Sequence, residues 1–155
     1  MGFRLRDHTA DVAVEATADD VEGLFAAVAD GLTAAACDDV PEPGSDAPAF
    51  ELSVTAESRE AVLFDYLDRL IYERDVRSVL PVRNRVAIEP PGGDVDGTRG
   101  DDDTADPGSA WRLDATARGV PLAAVDAREI KAVTYSEMRV EPTDDGWTAY
   151  VVFDV

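Results

Sequence analysis

Two aspartates stand where a carboxylate is expensive to place. Asp11 enters a largely apolar strand-like run, Ala10 to Ala16, in which Glu15 is the one other charge. Asp154 closes the most apolar run in the chain, Tyr150-Val151-Val152-Phe153, with Val155 beside it. A carboxylate at the end of a buried strand is costly unless it is solvated, paired or bound to a cation. If the first and last strands are neighbours, Asp11, Asp154 and Val155 together offer a set of oxygen ligands. The plain alternative is a solvated strand end at Asp154 and a turn capped by Asp11. Other chemistries are mostly closed. The chain has one histidine, His8, and one cysteine, Cys37, too few for a zinc site or an internal disulfide. No serine sits in GxSxG, and neither a P-loop nor GxGxxG occurs. Oxygen donors remain, and they suit hard divalent cations: calcium first, with magnesium or manganese also acceptable.

Composition narrows the partners. There are 33 acidic and 14 basic residues, a net charge of −19. Lys131 is the sole lysine in the chain, and every other basic residue is arginine. Acidic excess with scarce lysine reads as adaptation to a salt-rich cytoplasm, where a Debye length of about 3 Å at 1 M salt screens the self-repulsion of surface carboxylates. The same surface disfavours broad contact with nucleic acid, which needs cations along the phosphates; any service to RNA is expected to be indirect. No apolar leader and no run of about 18 apolar residues is present, so the expectation is a cytoplasmic protein with no membrane partner.

The elements that must hold the two aspartates follow from periodicity. Residues 3–6 and 10–16 alternate as strands, with Val12, Val14 and Ala16 on one face. Asp19 and Asp20 offer an N-cap, and Val21, Leu24, Phe25, Val28, Leu32 and Ala35 recur at helical spacing up to about Cys37. A Pro-rich loop covers 38–48. A strand is expected at 49–56. Ser58 caps a second helix whose stripe is Leu63, Tyr66, Leu67, Leu70, Ile71 and Arg74. Residues 79–89 read as strand, with Pro81 marking an edge or an entry point. Residues 90–108 carry five glycines and six aspartates and lack the EF-hand spacing, so a flexible acidic loop is expected. Strands at 111–118, 129–141 and 146–154 follow, with a short helical turn at 121–127 and a hairpin tipped by Asp145-Gly146. The order β-β-α-β-α-β-β-β-β implies one α+β domain over 1–155: two layers, a largely antiparallel sheet and two amphipathic helices.

Four segments then carry a resemblance. Asp7-His8-Thr9-Ala10-Asp11-Val12, the helix Leu63 to Tyr72, the run Glu129-Ile130-Lys131-Ala132-Val133-Thr134-Tyr135, and Gly146-Trp147 through Asp154-Val155 resemble, in order, the archease family. The resemblance implies that Asp11, Asp154 and Val155 are divalent-metal ligands. It makes Asp7, His8 and Lys131 candidates for supporting or partner-contact roles. It implies a non-catalytic activator of an RtcB-type tRNA-splicing RNA ligase, promoting guanylylation and turnover of that ligase. A metal-dependent hydrolase, or a metal-free chaperone or accessory protein of RNA modification, is the alternative. Two family positions differ: Ser136 stands where a histidine is usual, and Gly119-Val120 where Gly-Glu is common.

Overall fold

The computed structural model describes residues 2–7, 11–37, 48–90 and 110–154. The chain runs β1 (Gly2–Asp7), β2 (Asp11–Ala18), α1 (Val21–Ala36), β3 (Ala49–Ala56), α2 (Arg59–Arg77), β4 (Val79–Glu89), β5 (Trp111–Pro121), a 3-10 turn (Leu122–Ala124), β6 (Ala132–Thr143) and β7 (Gly146–Asp154). This is the element order read from periodicity. The acidic segment expected at about 90–108 lies, from 91 on, outside the described residues.

Both helices begin as their sequences dictate. Asp20 accepts from the Gly23 amide at 2.7 Å, and Ser58 Oγ accepts from the Ala61 amide at 3.0 Å, which satisfies an amide that the first turn leaves without a helical partner. Of the two aspartates offered as caps, Asp20 is the one used; Glu22 instead accepts from the Ile88 amide of β4 at 2.8 Å. The C-terminal turn of α1 holds no basic residue. Arg128 supplies that function from far along the chain. Its Nε donates to the Ala35 carbonyl at 2.9 Å and its amide to the Ala36 carbonyl at 2.7 Å. A cation placed there also opposes the negative end of the helix dipole.

The α+β class stands, with the strands shared between two antiparallel sheets, ordered β1-β2-β7-β6 and β3-β5-β4. Each helix touches both sheets: α1 lies on β2 and β4, and α2 on β3 and β6. One apolar cluster therefore serves the whole molecule. It runs from Val12, Val14 and Ala16 of β2 and Val151 and Phe153 of β7, through Leu24, Phe25 and Val28 of α1 and Leu63, Tyr66, Leu67 and Leu70 of α2, to Leu52, Leu80 and Leu113. The helical stripes named from spacing are buried, apart from half-buried Val21, and α1 also buries Ala27, Ala29, Gly31, Thr33 and Ala36 because it lies against both sheets. No described helix is long and apolar enough to cross a membrane.

Local details differ from expectation where tertiary contacts intervene. Pro81 does lie on an edge strand, β4, opposite Gly119. A bulge follows between Val82 and Arg85, with Arg83 in the left-handed region at φ 56°. It turns Asn84 inward to donate to Asp30 at 3.0 Å. Residues Glu129 to Lys131 read as strand but run irregularly, because Arg128 is tied to α1 and Ile130 is buried in the core. The β6–β7 hairpin turns on Asp144-Asp145, and Gly146 is already paired with Thr143.

Among the described residues two charged groups are held inside this frame, Glu73 and Arg74. Glu73 on α2 is only 7% exposed and accepts from Arg69 at 2.9 Å and Arg77 at 2.6 Å. Burial alone raises its pKa, but the two guanidinium hydrogen bonds outweigh burial and hold it below the ordinary 4.5. Glu73 therefore contributes stability above the ordinary glutamate range, lost as pH falls through its lowered folded value. Glu73→Gln is expected to cost about 1–2 kcal/mol near neutral pH, less than a wholly buried pair because both arginines are half in water. Urea denaturation of both proteins at pH 7 and pH 3 checks this: the difference between them should shrink in acid.

Candidate functional site

The site begins with strand register. In an antiparallel pair, directly opposed residues lie on the same face of the sheet. β2 and β7 are the two central strands of their sheet, and Asp11 is registered against Asp154. The first aspartate of β2 and the last residue of β7 thus meet at one sheet end. From there the pairing continues without a break to Ala18 opposite Trp147.

β6 closes the other side of β7. Ala132 is registered against Asp154, and the Lys131 amide donates to the Asp154 carbonyl at 2.8 Å. Asp154 is therefore fixed by backbone from both flanks, and its side chain is exposed. The side chain of Lys131 is exposed at the same end. Arg74 of α2 adds a brace behind this corner, with Nη2 donating to the Arg128 carbonyl at 2.8 Å.

Of the candidate residues, the fold brings together Asp11, Asp154 and Lys131. Asp7 ends β1 with its backbone registered against Val12, one position from Asp11. His8 and Val155 lie outside the described residues. Among the residues whose side chains are described, no three His, Cys, Asp or Glu groups converge as a cation cage. What the backbone supplies is a carboxylate position on each of two adjacent strands. That donor chemistry fits a hard divalent ion.

A second feature was not anticipated from the sequence. β6 and β7 lose register between Thr134 and Arg139, so residues 135–138 bulge away from β7, with Glu137 in the left-handed region at φ 61°. The bulge carries Tyr135 outward to stack on Phe64 of α2, ring centroids 4.2 Å apart and planes within 4°. Burial, then the charges of Asp65 and Glu60, push the Tyr135 hydroxyl above its ordinary pKa. A bulge of this kind leaves no mark on strand periodicity. Ser136, where a family histidine is usual, falls inside it.

The solvent face of the β3-β5-β4 sheet holds an open depression of about 790 Å³, lined in part by Glu51, Ser53, Arg69, Arg85, Arg112 and Asp114. It belongs to the other sheet from Asp11 and Asp154. Arg112 is paired with Asp114 at 3.0 Å, and the Ser53 hydroxyl also bonds Asp114. Those hydrogen bonds lower the Asp114 pKa.

Comparison with known proteins gives a consistent result. A family model described as the archease protein family (MTH1598/TM1083) matches residues 3–155. A protein archease of Thermococcus gammatolerans is 31% identical over 154 residues, covering 96% of this chain and 95% of that protein. One from Methanosarcina acetivorans is 27% identical over 156 residues, covering 99% and 95%. Among solved structures, the solution structure of Methanobacterium thermoautotrophicum protein 1598 superimposes with a TM-score of 0.73 at 24% identity, covering 99% of each chain. The crystal structure of a Thermotoga maritima protein described as an archease and possible chaperone gives 0.59 at 22% identity, covering 98% and 96%. Those two likenesses concern the fold.

Proposed function

The chain belongs to the archease family, and from that premise we propose that it is a non-catalytic activator of an RtcB-type tRNA-splicing RNA ligase. It promotes guanylylation and turnover of the ligase through a divalent cation held at Asp11, Asp154 and Val155. The observation that carries this reading is the registration of Asp11 against Asp154 on the two central strands. Like charges directly opposed across strands repel. Two carboxylates kept in that position have a use when a cation lies between them. Bound there, a divalent ion supplies positive charge for a nucleoside triphosphate and its departing pyrophosphate. The residues of this chain hold and present it. Asp154 is braced by the Lys131 amide, and the Lys131 ammonium adds a compact positive charge at the same corner, a role that an arginine fork does not duplicate. Calcium, magnesium and manganese all suit such donors.

The test combines the purified protein with a partner ligase, GTP, manganese and RNA ends. Stimulated ligase guanylylation at substoichiometric amounts is the expected result. Hydrolysis of RNA by this protein alone would replace the proposal with a metal-dependent hydrolase. No stimulation and no hydrolysis would leave a chaperone or accessory role.

The composition supports a salt-rich cytoplasm as the working environment, in a halophilic archaeon. A net charge of −19 strains a folded chain at low ionic strength and is screened near 1 M salt, where the Debye length is about 3 Å. The thermal midpoint is expected to rise by more than about 10 °C between 0.1 M and 2 M potassium chloride, a shift of about 3–5 kcal/mol for a chain of this size. Circular dichroism melts at the two salts measure it. Equal midpoints would remove the halophilic reading.

A further inference from the structure

Single exposed apolar side chains are ordinary on a protein surface, but a contiguous group of them marks an interaction site. Four exposed ones occur among the described residues: Phe3, Tyr72, Val76 and Tyr135. Three of them belong to one surface. Tyr72 and Val76 are one turn apart on α2, 56% and 61% exposed. Tyr135, 54% exposed, stacks on Phe64 of the same helix. Phe64, Asp68, Tyr72 and Val76 follow one another at i, i+4 spacing, so they form one ridge along the helix.

Toward its Phe64 end the charges around this ridge are negative, whereas further along Asp75 pairs with Arg74 at 3.7 Å and the Arg69 guanidinium lies over the Tyr72 ring at 5.9 Å. Asp68 and Asp75 are exposed, and Asp65 is lifted above its ordinary pKa by burial and by the neighbouring Asp68 charge. Glu60 and Asp65 act on Tyr135. The cations on this part of the helix are engaged within the molecule: Arg69 and Arg77 both bond Glu73. The surface is thus apolar along the ridge and acidic around its Phe64 and Tyr135 end. Its complement is a protein face with an apolar centre ringed by arginine and lysine, the charge pattern of an enzyme that handles nucleic acid.

The ridge also leads to the carboxylate pair. Arg74 ties the C-terminal half of α2 to Arg128, and three residues later the Lys131 amide holds Asp154. On β6, Tyr135 of this surface lies three residues from Ala132, which is registered against Asp154. We propose that the ridge Phe64, Asp68, Tyr72 and Val76, together with Tyr135, is the surface that docks the ligase; this rests on the activator reading above. The ridge supplies affinity, and the carboxylate corner supplies the stimulation.

The experiment measures ligase affinity by calorimetry and stimulated guanylylation by titration, for wild type, Tyr72→Ala/Val76→Ala, Asp68→Lys/Asp75→Lys and Phe3→Ala. Both double variants are expected to bind at least about 30-fold more weakly, since exposed aromatic anchors dominate interfaces. Both should reach the wild-type maximum of stimulation at saturating concentration, and Phe3→Ala should match wild type throughout. Because the altered side chains are exposed and the ion pair lost, Asp75 with Arg74 at 3.7 Å, is long and half in water, circular dichroism melts close to wild type are expected. Wild type that stimulates while Tyr72→Ala/Val76→Ala binds equally well overturns the docking surface alone. Wild type that neither binds nor stimulates overturns the activator reading and this surface with it. Sedimentation in which the double variant loses a wild-type dimer, with ligase binding unchanged, assigns the ridge to a second copy of the chain and also overturns it.

Discussion

Asp11→Ala is expected to reduce stimulation of the partner ligase's guanylylation by at least about 100-fold while leaving the fold intact. Disturbing groups that merely support metal ligands already costs about 10–100-fold, and loss of a ligand should cost no less. Stability should move the other way. Asp11 is registered against Asp154, so without a cation the substitution removes a like-charge opposition and leaves the melting temperature unchanged or slightly higher. A cation reverses that order. At about 100 times its dissociation constant, a ligand bound only to the folded state adds about 2.7 kcal/mol, or about 5–10 °C for a chain of this length. Calcium or manganese should therefore raise the wild-type melting temperature by that amount and leave Asp11→Ala where it was. Normal ligase stimulation by the variant would sink the proposal. An equal cation-induced shift in both proteins would move the ion elsewhere.

Gly146→Ala should be the most damaging of the small substitutions, at about 3 kcal/mol. Gly146 opens β7 at φ 156°. A Cβ there would sit 2.2 Å from the Ala18 carbonyl oxygen and 3.1 Å from Asp19 Cα. Both atoms are backbone, so no side chain can swing aside, and relief requires the end of β2 to separate from the start of β7. The corresponding fall in melting temperature is about 6–12 °C. Gly2→Ala is the control, because nothing lies within 4 Å of a Cβ added there; it should be neutral within about 0.5 kcal/mol. Equal melting temperatures for the two variants would mean that the hairpin corner yields more easily than its packing indicates.

The sequence was legible where information is local. Alternation in β2, β3 and β5, the stripe from Leu63 to Arg74 and the caps at Asp20 and Ser58 depend on residues within a few positions of one another, and each was read correctly. Strand partners were not legible in that way. A period of two says that a segment pairs, not with which segment, so the division into two sheets and the central place of β5 had to come from the structure. Long-range hydrogen bonds explain the local misses. Glu129 to Lys131 resembles strand, yet the neighbouring Arg128 is taken by the end of α1. The residues 135–138 bulge follows from packing Tyr135 onto Phe64. For the site, Asp11 and Asp154 were picked out by where their charge fell in apolar runs, and only the β2–β7 register puts them side by side. Tyr72 and Val76 had a signal that went unread: they are apolar residues outside the buried stripe of their helix.

That β2–β7 pairing also sets a time order. Asp11 and Asp154 are nearly a full chain length apart, and contacts of such separation are slow to form because loop closure must precede any gain from them. The last strand cannot occupy the centre of its sheet until almost everything before it has been laid down. A cation held across the pair would then stabilise contacts made late in folding, so its effect should appear mainly as slower unfolding, with little change in the folding rate.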